Sequence, residues 1–133
     1  MSSHLTEHDE QVTVVEWARY NQSRYPALRL LHASANGGLR HIITARRMKS
    51  EGVQAGIPDL FLPHAAGGYH GLFIEMKIKG GKLSQAQTWW LEALNAQGYK
   101  AVVCYGAIEA IACLKSYLED NPGQALDKSS AQA

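Results

Sequence analysis

"GIPDLFLPHAAGGYHGLFIEMKIKGGKLS", residues Gly56–Ser84, decides how this chain folds. It predicts two short strands, Asp59–Pro63 and Leu72–Lys79, joined by a Gly-rich turn. Three charged residues, Asp59, Glu75 and Lys77, fall inside them. Strand side chains alternate between faces. Leu72, Ile74, Met76 and Ile78 therefore share an apolar face, and Phe73, Glu75, Lys77 and Lys79 share the other. A hairpin turning about Gly67 sets Phe61 against Phe73 and Asp59 against Glu75.

Directly opposed carboxylates destabilise a sheet. At ~4.5 Å and an effective dielectric of ~20 their repulsion is on the order of 3–4 kcal/mol. That is large beside the roughly 5–15 kcal/mol that holds a small domain together. Either one acid carries a raised pKa, or a cation lies between the two. A divalent cation is the simpler answer, and Mg²⁺ is the hard ion that accepts few protein ligands and several waters. Lys77, on the same face as Glu75, would orient an attacking water, take its proton or stabilise charge developing on a phosphate. Two acids, a lysine and a cation make a site for phosphodiester hydrolysis.

Around this hairpin the pattern predicts a first helix from Thr6 to Asn21, with apolar stripe Val14, Trp17 and Ala18. "ALRLLHAS" (Ala27–Ser34) reads as a strand, Asn36–Gly38 as a turn, and Leu39–Lys49 as a basic helix closed by Gly52. Ser84 and Gln87 form a capping box for a helix running to Gly98, with Trp90 and Leu94 on its apolar face. "YKAVVCYG" (Tyr99–Gly106) reads as a buried strand and Ala107–Leu118 as a last amphipathic helix. The order helix, strand, (helix), strand, strand, helix, strand, helix predicts an α/β fold: a mixed sheet of about four strands flanked by helices. One domain is expected over 1–120, with a loose Gly/Pro/Ser/Gln/Ala-rich tail over 121–133.

At 133 residues, with 46% hydrophobic and 19% charged residues, the composition is that of a globular protein. No apolar run reaches the roughly 18–20 residues that span a bilayer, and no signal peptide is read at the N-terminus. Cys104 and Cys113 make no CxxC pair and are expected as buried thiols in a reducing cytoplasm. His64 and His70 flank the Gly-rich turn without a third ligand at zinc spacing, so they are expected at the surface. The net charge is only +1, but Trp17–Ser50 contains no Asp or Glu and carries Arg19, Arg24, Arg29, Arg40, Arg46, Arg47 and Lys49. Such an asymmetry points to a phosphate backbone as partner.

Pro58–Asp59, then 15 residues, then Glu75-Met76-Lys77 resembles the PD-(D/E)xK nuclease signature. "GIPDLFL", "LFIEMKIKGGKLSQAQ" and "GYKAVVCYG" together resemble the virus-type replication-repair nuclease (VRR-NUC) family, over roughly Glu7 to Leu118. The resemblance implies a restriction-endonuclease-like core, divalent-metal-dependent cleavage of branched or flapped DNA, and Holliday-junction resolvases acting as homodimers. A twofold dimer also suits the geometry, since one site cuts one strand and symmetric resolution needs two. The resemblance further implies a first-helix Glu four residues before a Gln, here Glu7 and Gln11. On a helical wheel Glu7 lies about 20° from the Val14 stripe, Glu10 about 40° on the other side and Glu16 near the opposite face. Glu7 is thus the third acid, with Glu10 in reserve. By the same resemblance Gln87 stands beside the active site.

The expected site is Asp59 and Glu75 on Mg²⁺ (or Mn²⁺), with the Met76 backbone carbonyl as a further ligand. Glu7 would add a carboxylate directly or through water, Lys77 would act on the attacking water, and Gln87 would flank them. Asn36, Arg40, Arg46, Arg47, Lys49 and Lys79 would hold DNA phosphates. Two other readings stay open: a nuclease-like fold that binds DNA without cutting it, and a hydrolase of RNA or small phosphoesters.

Overall fold

The computed structural model describes residues 5–35 and 42–119, apart from the side chains of 42–45. The expected turn at Asn36–Gly38, residue Arg40 and the tail from 121 lie outside the described residues. The first helix, α1 (Glu7–Tyr20), starts at Thr6, whose hydroxyl accepts from the Asp9 amide while Asp9 reaches back to the Thr6 amide. That reciprocal cap satisfies two donors which the first helical turn leaves unpaired.

The expected strand at Ala27–Ser34 is mostly something else. Pro26–Leu30 forms a 3-10 helix, and only His32–Ala33 is strand, β1. Pro26 is the reason: its ring holds φ at a helical value, which suits the first residue of a helical turn. Leu28 then turns inward while Leu30 stays exposed. The basic helix α2 (Ile42–Ser50) ends as expected at Gly52, with φ +100° and its amide on the Lys49 carbonyl.

The hairpin consists of β2 (Leu60–Leu62) and β3 (Leu72–Lys77), paired antiparallel with Phe61 against Phe73. The register is the expected one, but the turn is not centred on Gly67. Ala66 and Tyr69 exchange both backbone hydrogen bonds around Gly67 and Gly68, each at positive φ. One extra residue between Leu62 and Ala66 restores the register, a bulge seated where the Tyr117 hydroxyl donates to the His64 carbonyl at 2.7 Å.

After β3, Ser84 and Gln87 form the expected capping box for α3 (Gln85–Ala96). Then come β4 (Lys100–Tyr105) and α4 (Ala107–Glu119). The sheet order is β1-β2-β3-β4, with β3 and β4 parallel and the other pairs antiparallel. β4 is therefore an edge strand, and only Ala101 and Cys104 of it are buried, less than its apolar run suggested.

Two apolar layers enclose the sheet. Leu60, Leu62, Leu72, Ile74 and Met76 pack with Val14 and Ala18 of α1 and with Ala110, Leu114 and Tyr117 of α4. On the other face Phe73 and Ala101 pack with Leu91 of α3, and Phe61 stacks on Phe73 with ring centroids 4.0 Å apart. Leu91 anchors α3, with Leu94 beside it; Trp90 is half-buried and Trp89 is exposed. β3, the most buried strand, thus turns Phe73, Glu75 and Lys77 toward the α3 side. Among the described residues no helix is long and apolar enough to cross a membrane.

Candidate active site

Glu75 and Lys77 continue the row that Phe73 begins, past the point where the aromatic layer ends. Both are buried, with 2% and 7% of their surfaces exposed. Asp59 immediately precedes β2. Its carbonyl accepts from the Ser34 amide at 2.8 Å, so the ladder runs one residue beyond the strand and Asp59 lies across from Glu75. Asp59 Oδ2 accepts from the Met76 amide at 2.7 Å. This bond pins one Asp59 oxygen to β3 beside Glu75. The Met76 side chain is in the opposite core layer, so only its main chain is available here.

Burial and the repulsion expected between the two acids act together on Glu75. Burial first, then the charge of Asp59 and a hydrogen bond with it, raises the Glu75 carboxyl to about 8. Lys77 opposes the rise and Glu7 adds to it. A buried proton-holding carboxyl next to a second acid is what a cation would discharge. Both donors are hard oxygens. Among the described residues no three His, Cys, Asp or Glu side chains converge into a ready cage. The donor set fits an ion that takes two carboxylates and completes its shell with water and substrate oxygens.

Gln87 reaches the same place from α3. Its Nε2 donates to Glu75 Oε2 at 3.1 Å, while its Oε1 accepts from the Ser84 amide at 2.9 Å. The same side chain thus completes the helix cap and bonds to Glu75. The loop before Asp59 is held to the same helix end, because Gly56 at φ +91° packs directly on Ala86.

Glu7 is exposed at the start of α1. A Cβ placed on Gly81 would lie 3.7 Å from Glu7 Oε2 and 3.4 Å from Lys77 Cδ, so the two side chains converge over the Lys79–Lys82 turn. Glu10 is committed elsewhere: its Oε1 accepts from the Ala107 amide at 2.6 Å, capping α4. The signal for this was that α4 follows Gly106, which has no side chain to cap with. Gln11 lines a shallow groove along α1 with His8, Val15 and Arg19. Lys79 is exposed beside the site, and Arg46, Arg47 and Lys49 are exposed on α2. Asn36 and Arg40 are outside the described residues.

Two neighbours escaped the sequence reading. Ser34 faces Asp59 across the sheet, and Tyr105 pairs in register with Lys77. Neither is legible without the strand order.

Against known proteins, the family model "VRR-NUC domain" matches residues 1–108. A solved structure described as "VRR_NUC domain protein" is similar at 33% identity, with 88% of this chain and 91% of that one covered and a TM-score of 0.74. No curated protein matches the chain.

Proposed function

Because the chain belongs to the VRR-NUC family of nuclease domains, we propose that it is a divalent-metal-dependent endonuclease that cuts branched DNA, Holliday junctions included, as a homodimer. The observation that carries this reading is the buried Glu75 with half-buried Asp59 beside it, Lys77 two residues on and Gln87 bonded to Glu75.

Asp59 and Glu75 would hold Mg²⁺ or Mn²⁺, with the Met76 carbonyl and Glu7, directly or through water, as further donors. The ion supplies an acidified water and a polarised phosphoryl oxygen when bound. Asp59 is oriented by the Met76 amide and Glu75 by Gln87, so neither carboxylate needs to reorganise as substrate arrives. Lys77 holds a cationic head where the attacking water loses its proton and negative charge grows on the phosphate. Lys79 beside the site and Arg46, Arg47 and Lys49 on α2 supply positive charge for the flanking backbone. Among the described residues no base-reading element accompanies them, so selectivity would rest on DNA shape. Two twofold-related sites suit symmetric cutting of a junction. The free thiols Cys104 and Cys113 suit a reducing cytoplasm.

The test is a panel of labelled four-way junctions, forks, flaps and linear duplex, incubated with Mg²⁺, Mn²⁺ or EDTA. Metal-dependent cleavage concentrated at branch points is expected. Binding of every substrate with cleavage of none would make the protein a DNA-binding module instead, and preferential cleavage of RNA would move it to another substrate class.

A further inference from the structure

We propose that Tyr105 forms a nucleobase platform at the mouth of the site, on which an unpaired base next to the scissile phosphate stacks. The inference rests on the nuclease reading above and names how that site would recognise a branch.

The argument begins with register. Lys77 pairs with Tyr105 across the parallel β3–β4 ladder, so the two side chains emerge from the same face of the sheet. Neighbouring strands lie about 4.8 Å apart, which puts the Tyr105 backbone one strand spacing from that of Lys77. Among the described residues β4 is the sheet edge, and no further strand lies beyond Tyr105. A nucleotide whose phosphate sits at Lys77 would carry its base over this edge.

The corner is also rigid. The Tyr105 amide donates to Glu109 Oε1 at 2.9 Å, and the Gly106 amide donates to the Lys77 carbonyl at 2.9 Å. Glu10 fixes the next amide, that of Ala107. The platform is thereby tied to the catalytic strand itself and to the helix that carries Glu7.

Finally, folding leaves this corner uncovered. Tyr105 is 43% exposed. The exposed part of its ring is available for a ligand. Every base has a π-face, and aromatic stacking is tolerant of sequence. A base can use the platform only when it has left its own stack, as it has at a flap, fork or junction.

The experiment uses flap, fork and duplex DNA carrying 2-aminopurine beside the cut position, with wild type, Tyr105→Ala, Tyr105→Phe and Ile108→Ser. Binding is read from 2-aminopurine fluorescence and cleavage from single-turnover rates in Mg²⁺. Wild type and Tyr105→Phe are expected to quench the probe and to cut alike within about twofold. Tyr105→Ala should lose the quench and about tenfold in affinity for flaps and forks, a loss within the range of one stacked base, with a smaller loss on duplex. Ile108→Ser, exposed on the helix packed against the opposite face of the sheet, should match wild type. Quenching and branch affinity unchanged in Tyr105→Ala would overturn the platform, whether or not wild type cuts. Wild type that cuts nothing yet quenches the probe through Tyr105 would overturn the nuclease reading alone. Loss of affinity in Tyr105→Phe equal to that in Tyr105→Ala would assign the hydroxyl, and not stacking, to the contact and overturn it too.

Discussion

Gln87 joins the cap of its own helix to Glu75: one amide oxygen holds the Ser84 N–H and the amide nitrogen holds the carboxyl. Substitutions separate these roles. Gln87→Ala removes both, and should cost about 0.5–1.5 kcal/mol of stability and about 10–100-fold in cleavage rate. Gln87→Glu keeps a residue able to complete the capping box but sets a third acid against Glu75. It should retain near-wild-type melting in Mg²⁺ while losing activity. Equal activity in both variants and wild type, read from paired melts and single-turnover rates, would remove Gln87 from the site.

The raised pKa of Glu75 makes stability depend on pH in a defined direction. Unfolded, the carboxyl titrates near its ordinary value of 4.5; folded and metal-free, it holds its proton to about 8. Its contribution is therefore fully present below about 4.5 and is lost as pH rises through about 8, by about 1.4 kcal/mol per pH unit in between. Glu75→Gln lacks this slope. Without metal, the variant should melt increasingly above wild type as pH goes from 5 to 8. Because Mg²⁺ must displace the proton, its stabilising effect on wild type should grow over the same range and level off above it. Parallel melting curves for the two proteins across pH 5–8 would contradict the coupling.

These acids are also the part of the molecule most legible before folding. Alternation in a strand forces Glu75 and Lys77 onto one face, and the pairing of Phe61 with Phe73 sets Asp59 beside them whatever the turn does. The turn itself was misplaced because Gly67 and Gly68 offer equivalent positive-φ positions, and only the bulge before Ala66 shows which pair is used. Ala27–Ser34 was misread because an apolar run after a proline fits a helical turn as well as a strand. The division of labour between Glu7 and Glu10 depends on where α4 begins relative to α1, a tertiary relation that a helical wheel does not contain.

Lys77 offers a cleaner separation of chemistry from binding. Its side chain is buried beside Glu75 and runs over Gly81, whereas Lys79 and Lys82 of the same turn are exposed. Lys77→Ala should lower cleavage by about 10²–10⁴-fold and change DNA affinity by less than about twofold. Lys77→Met, which keeps the apolar stem, should be as inactive but closer to wild type in melting temperature. Activity recovered in Lys77→Met would show that the stem, and not the charge, is what the site requires.

The exposed arginines of α2 act on a different quantity. If Arg46 and Arg47 each neutralise one phosphate, the double Ala variant should bind more weakly and its log affinity should depend less on log salt, the slope falling by about 1.8. Titrations between low and physiological salt measure this directly. A slope equal to wild type would place α2 outside the DNA interface.

The loop leading into Asp59 is held by a contact that tolerates no side chain. A Cβ on Gly56 would lie 2.7 Å from Ala86 Cβ and 2.8 Å from the Ala86 carbonyl carbon, in a residue already at φ +91°. Gly56→Ala therefore combines backbone strain of about 1–2 kcal/mol with overpacking of about 1–3 kcal/mol. The loop can relieve the overlap only by moving away from the first turn of α3, which carries Asp59 away from Gln87 and Glu75. Gly52→Ala is the control. Its φ is +100°, but open space surrounds the added methyl, so it should pay the strain alone. Melts should place Gly56→Ala well below Gly52→Ala, and Mg²⁺ should stabilise the Gly56 variant less than wild type. If the two variants melt together and respond to Mg²⁺ equally, the packing of Gly56 on Ala86 does not position Asp59.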